Sequence, residues 1–192
     1  MEIISKQYKQ ELAKFAKQKN NINRLWNVNK ETAKFLYLMV KTRKPENILE
    51  IGTSNGFSTF WLSIAAPNNT TIDTIEIDKD RLALAKENLK HYNNINFHHG
   101  MAENIIPALK KKFDFIFIDA GKIGYISYIK ILLPKLNTNS IIIADSVISH
   151  AESVYEYLDF INQNQNMENI KLEIGDGLMV TFFRERMDKC QK

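Results

Sequence analysis

The 192-residue sequence predicts an α/β protein built on one doubly wound, mostly parallel seven-stranded sheet that ends in an antiparallel hairpin. Short apolar runs alternate with segments of helical length and periodicity from residue 47 onward. Most of these runs are apolar throughout, as strands covered on both faces require. The run 170–174 instead alternates, and Gly175-Asp176-Gly177 joins it to the run 178–183 through a short glycine-containing turn typical of hairpins.

In chain order, Tyr8, Leu12, Phe15 and Ala16 recur at helical spacing among lysines and glutamines, predicting an amphipathic helix over 5–19 within a helical extension of about residues 1–25. A second helix covers 30–42, and Pro45 prevents its continuation. Strand and helix then alternate: strand 47–51 and helix 57–66, strand 71–77 and helix 79–92, strand 95–98 and helix 102–112. Strand 113–118, helix 123–133, strand 140–144 and helix 151–164 continue the series before the hairpin. Residues 185–192 read as a loose tail. No internal repeat or low-complexity linker divides the chain, so residues 1–192 read as a single domain.

With 44% hydrophobic residues the chain can bury one continuous core, and a formal charge of +4 permits a polyanionic partner without demanding one. Cys190 is the only cysteine, which excludes an internal disulfide and a cysteine metal centre and fits a reducing compartment. Residues 1–6 lack a basic stretch followed by an apolar run, and the longest apolar stretches, such as 60–66, are far too short to span a bilayer. A cytoplasmic protein without a membrane partner is expected.

In open α/β sheets ligands bind beyond the carboxyl ends of the strands, so the residues after each apolar run are the informative ones. The first run leads into Gly52-Thr53-Ser54-Asn55-Gly56-Phe57-Ser58, where the glycines let the backbone turn tightly and approach a ligand before a helix begins. The second ends in Glu76-Ile77-Asp78, at the separation from Gly52 where an acidic residue grips ribose hydroxyls in dinucleotide folds. Each feature alone is an ordinary turn or a solvated strand end; their joint placement on successive units implies a nucleoside ligand. Glu50 adds a further polar group in an apolar stretch.

Asp119 and Asp145 end strands that should be neighbours, so their carboxylates repel unless one is protonated or a cation lies between them. Oxygen-only ligands favour Mg²⁺, Ca²⁺ or Mn²⁺, while Asp145 could equally cap the next helix. Lys122 is placed to reach over the same crevice as a base, or to solvate the surface as most lysines do. His91, His98, His99 and His150 lack paired ligand spacing and read as structural or surface residues, and the Lys110-Lys111-Lys112 run reads as a helix C-terminus complementing the backbone dipole.

The segments NILEIGTSNGFSTFWLS (47–63), TIEIDKDRLALAKEN (74–88), FDFIFIDAGKIGYISY (113–128) and IIIADS (141–146) together resemble the cation-dependent O-methyltransferases of the catechol and caffeoyl-coenzyme A type. The resemblance covers about residues 28–183 and extends to the order and spacing of the blocks. It implies a Rossmann-like class I methyltransferase fold and S-adenosylmethionine as cofactor. It further implies that Gly52 and the 53–56 loop lie against the methionine part, including Thr53, Ser54 and Gly56, with Ser58 near its carboxylate and Val28 covering that end. Glu76 would take the ribose hydroxyls, Ile77 would pack on adenine, and Ala102 and Glu103 would lie at the adenine edge. Asp119 and Asp145 match metal ligands, with Mg²⁺ the first expectation, and Lys122 matches a lysine that helps deprotonate the acceptor hydroxyl.

Ser146 departs from the asparagine usual at that position; its hydroxyl is a shorter, weaker ligand, so an ion would be held less tightly, through water, or not at all. Gly121 also replaces a more polar residue, which widens the range of acceptors. The expected acceptor is a small catechol-like hydroxylated molecule, with a hydroxylated tRNA base as the alternative and a homodimer as the expected assembly. A non-catalytic cofactor-binding or dimerising module is a rival. A nicotinamide-dependent oxidoreductase is disfavoured by the incomplete dinucleotide glycine pattern.

Overall fold

Strand β1 (Asn47–Ile51) lies inside a seven-stranded sheet of order β3-β2-β1-β4-β5-β7-β6, and the direction of winding reverses between β1 and β4. The structure, a computed structural model, describes residues 2–21 and 25–185. Strands β2 (Thr71–Glu76), β3 (Ile95–His99), β4 (Phe113–Ile118) and β5 (Leu136–Asp145) are parallel to β1. Strand β7 (Leu178–Phe183) inserts antiparallel between β5 and β6 (Met167–Leu172).

Successive side chains of a strand point to opposite faces, and β1 shows why its apolar run is continuous. Ile48 joins one buried cluster with Phe15, Leu36, Val40, Phe60 and Phe117, whereas Leu49 joins the other with Ile106, Ile116, Ile129 and Ile161. Helices α2 (Lys9–Asn21), α3 (Lys30–Arg43) and α4 (Phe57–Ala65) supply the first cluster, and α6 (Ala102–Ala108), α7 (Tyr125–Leu132) and α8 (Tyr155–Gln163) the second. Helix α5 (Lys79–Asn88) is capped by Asp78, whose side chain accepts from the backbone N–H groups of Asp80 and Arg81. Among the described residues no helix is long and apolar enough to cross a membrane.

Several boundaries differ from the sequence expectation. The N-terminal helix is two helices, α1 (Glu2–Gln7) and α2, and Phe15 of α2 is buried against Phe57 and Phe60 of α4, a burial contributing about 2 kcal/mol. Strand β5 begins at Leu136 because its early polar residues still pair: Ser140 donates to the Phe113 carbonyl, and Asn137 donates to Asp114. Helix α6 ends at Ala108, soon after Pro107, so Lys110–112 lie beyond it and Lys111 instead pairs with Asp73. Helix α8 starts at Tyr155 because the preceding loop is held elsewhere: Val147 donates to the Gly177 carbonyl, and Ile148 and Ser149 to that of Asp176. Strand β6 spans Met167–Leu172, which lengthens the hairpin connection to residues 173–177. Cys190 lies outside the described residues.

Candidate active site

The parallel strands end in register, Ile51 beside Ile118 and Ile118 beside Ala144, so the loops that follow them open on one side of the sheet at the reversal between β1 and β4. There they line a cleft of about 770 Å³, within the range of small-molecule sites. Val28, Gly52, Thr53, Ser54, Ser58, Glu76, Ile77, Ala102, Glu103, Asp119, Lys122, Asp145 and Ser146 all line it. Two expected residues do not: Glu50 is fully buried on β1, and a Cβ on Gly56 would meet Leu89, just beyond the end of α5.

Gly52 makes the narrow part of this cleft possible. Its φ is +104°, and a Cβ there would fall 2.0 Å from the Asp119 carbonyl oxygen, so only glycine lets the ends of β1 and β4 meet. The loop after it is tied to β2: the Gly52 and Thr53 N–H groups donate to the Ile75 carbonyl, and the Thr53 and Thr74 hydroxyls lie 2.6 Å apart. Thr74 continues the chain by donating to Glu50 at 2.6 Å, and Thr59 of α4 donates to the same carboxylate oxygen. Burial pushes the Glu50 carboxyl up to about 7, against the lowering effect of the Ser58, Thr59 and Thr74 hydroxyls. Glu50 therefore braces the loop from below.

Glu76 presents its carboxylate with both oxygens already positioned. Oε2 accepts from the Ser54 N–H at 2.8 Å, and Oε1 accepts from the Asp78 N–H at 2.9 Å. Arg81 approaches Oε1 at 3.4 Å, leaving further lone pairs for hydroxyl donors. Around it stand three exposed apolar side chains, Trp26 at 73%, Ile77 at 61% and Met101 at 50%, with the Arg81 guanidinium over the Trp26 ring.

At the other end of the cleft Asp119 and Asp145 face a single lysine. Lys122 Nζ donates to Asp119 Oδ1 at 3.0 Å and to the Tyr125 hydroxyl at 2.9 Å. That hydroxyl lies 3.1 Å from the carbonyl oxygens of both Ile118 and Asp145, so the fully buried Tyr125 ties the ends of β4 and β5 to the lysine. Ser146 donates to Asp145 Oδ2 at 2.8 Å. Burial raises Asp119 despite Lys122, with Asp176 adding to the rise, and burial together with the Asp119 charge pushes Asp145 up to about 6. The ammonium thus compensates the repulsion only in part. Ser146 has a φ of +63°, a conformation that asparagine enters more readily than serine.

Sequence reasoning missed Trp26, Arg81, Met101, Tyr128, His150 and Asp176, all of which line the cleft. Trp26 offered a signal as a lone aromatic among polar residues, and Asp176 was read only as part of a turn. Gln18 of α2 was also missed: its amide joins Asn55 and Asn88 in a hydrogen-bonded set that docks α2 onto the 53–56 loop, a link across 37 and 70 residues that no local spacing reveals.

With this geometry established, comparison with known proteins places the chain. The family model described as O-methyltransferase matches residues 2–182. A catechol O-methyltransferase from Niastella koreensis is 35% identical over 128 residues, an alignment covering 63% of this chain and 58% of that protein. The chain therefore spans less than two thirds of that relative's length. A caffeoyl-CoA O-methyltransferase from Medicago sativa is 26% identical over 185 residues, covering 81% of this chain and 75% of that protein. The crystal structure of the O-methyltransferase from Bacillus cereus in complex with SAH superposes with a TM-score of 0.80 at 24% identity, covering 92% of this chain and 90% of that one. This last likeness establishes a shared fold.

Proposed function

The chain belongs to the O-methyltransferase family, and from that premise we propose that it transfers the methyl group of S-adenosylmethionine to a hydroxyl of a small catechol-like acceptor. The carrying observation is the convergence, in one cleft, of a Glu76 carboxylate with free lone pairs at one end and the Asp119, Lys122 and Asp145 group at the other.

The residues present fit the cofactor. Glu76 would accept from the two ribose hydroxyls, and Trp26, Ile77, Met101, Ala102 and Glu103 form the walls for adenine. Val28, Gly52, Thr53, Ser54 and Ser58 surround the methionine end, where the first turn of α4 offers unpaired backbone N–H groups to its carboxylate. The bound cofactor supplies a methyl carbon on a positively charged sulfur, which an oxygen lone pair displaces to leave a neutral thioether. Everything else falls to the chain. The acceptor hydroxyl must give up its proton next to Lys122 Nζ and the two aspartates, whose carboxyls burial holds above the usual carboxylate range and so makes better proton acceptors. Tyr125 holds Lys122 in place, and the cleft orients the two reactants, which converts a bimolecular encounter into an effectively unimolecular step.

Asp119, Asp145 and the Ser146 hydroxyl would hold a divalent cation, Mg²⁺ first among them, which would supply Lewis acidity toward the acceptor oxygen. The two incompletely compensated carboxylates suit such an ion. Among the described residues no group of three or more acidic, histidine or cysteine side chains converges on one point, so water and the acceptor would complete its shell.

The test is transfer of labelled methyl from S-adenosylmethionine to catechol, with and without Mg²⁺. Transfer by the wild type that falls by about two orders of magnitude in Lys122→Met supports the assignment. No transfer to any hydroxylated acceptor, or wild-type transfer in that variant, overturns it. Homodimerisation is part of the same proposal, and sedimentation at micromolar concentration tests it.

A further inference from the structure

The charge of the chain is distributed against its overall sign where the acceptor must enter. The three segments beside that end of the cleft, residues 119–128, 145–157 and 173–177, carry Asp119, Asp145, Glu152, Glu156, Glu173 and Asp176 against Lys122 alone, in a protein of net charge +4. A second depression of about 290 Å³ is lined by Ile123, Ile126, Glu152, Tyr155 and Glu156 among others. The chain passes from one into the other at two places, from Lys122 to Ile123 and from His150 to Glu152. Ile123 is 87% exposed and Tyr155 67%, so the walls of this approach are apolar and its charges negative.

We propose that the cleft selects acceptors by charge, taking uncharged or cationic hydroxylated aromatic molecules and rejecting polyanionic ones such as coenzyme A thioesters and RNA. This rests on the reading of the cleft as a methyltransferase site. A concave surface lined by one sign of charge concentrates ligands of the opposite sign and repels those of its own. A divalent cation at Asp119 and Asp145 would offset those two carboxylates and leave Asp176 in the cleft and Glu152 and Glu156 in the neighbouring depression to set the field. The apolar side chains suit an aromatic body, and the exposed Tyr155 ring beside Glu156 suits an ammonium group.

The experiment compares kcat/KM at low and high salt for dopamine, catechol, 3,4-dihydroxybenzoate, caffeoyl-coenzyme A and bulk tRNA, on the wild type and on the double variant Glu152→Lys/Glu156→Lys. The expected order is dopamine, then catechol, then the benzoate. Dopamine should lead the benzoate by about tenfold at low salt, through KM, with the gap closing in the variant and at high salt. Preference for caffeoyl-coenzyme A or tRNA, or a charge-independent order that the double variant leaves unchanged, overturns the inference. If no probe accepts a methyl group while S-adenosylhomocysteine still binds, the methyltransferase reading has failed. Binding of the same probes to the S-adenosylhomocysteine complex then decides the charge rule by the same order.

Discussion

Beside the edge strand β3, Asp73 of β2 is almost completely buried, yet its carboxyl is held below the ordinary range; at the reversal point Asp119 and Asp145 are also largely buried and are held above it. Burial opposes the charged form in both places, and each has a lysine at hand: Lys111 for Asp73, Lys122 for the pair. The difference is arithmetic. Asp73 alone receives His98 at 2.7 Å as well as Lys111, and these outweigh burial. At the reversal point one ammonium serves two carboxylates, and Asp176 adds to the negative field. The fold completes its own electrostatics at Asp73 and leaves them incomplete at the cleft, as the proposed site would require.

The sharpest way to break this contrast is to delete one acid from each place. Asp119→Ala should lower methyl transfer by about two to three orders of magnitude, measured as label transfer, while the melting temperature stays level or rises because a repelling charge is gone. Asp73→Asn should do the reverse, losing about 2 kcal/mol of stability in urea titration through its orphaned partners, with turnover per folded molecule unchanged. Equal losses of stability in both variants would erase the distinction.

The pH dependence of stability sharpens it next. Glu50 near 7 and Asp145 near 6 lie above their unfolded values of 4.5 and 3.8, so their stabilising share is complete below those lower values and is lost as pH rises through 6 and 7. The ligand-free protein should therefore melt at a lower temperature at pH 8 than at pH 5.5, and Glu50→Gln should flatten that slope. Asp73 has the opposite sign: its share is present above its unfolded value of 3.8 and is lost as pH falls through its lower folded value. Asp73→Asn should accordingly make the acid limb shallower. The smallest effect is expected of Ser146→Asn, which suits the positive φ and adds an amide carbonyl. It should stabilise by about 0.5 kcal/mol and tighten Mn²⁺ binding several-fold in a calorimetric titration.

The sheet was legible because strands buried on both faces must be apolar throughout, as β1 and β4 are. The strand ends that failed to show were mostly polar, Asn137 to Asn139 in β5 and Glu168 and Asn169 in β6; Asn137 bonds to Asp114, and Asn169 to Ile161 and Thr181, and not to the core. The loop residues were legible as a set through their order after successive strands, since topology brings those ends together. Asp73, Lys111 and Gln18 were not, because their partners are 25 to 70 residues away and no periodicity marks them. Asp145 was open between capping a helix and facing a ligand. It caps none: α8 begins ten residues later, and the carboxylate lines the cleft.

The central claim, that the cleft is an S-adenosylmethionine site, is most directly tested by calorimetric titration of S-adenosylhomocysteine into the wild type and Glu76→Gln. Micromolar binding, on the order of −8 kcal/mol, that weakens at least about tenfold in the variant is the expected result. No binding to the wild type, or binding indifferent to Glu76, would contradict it.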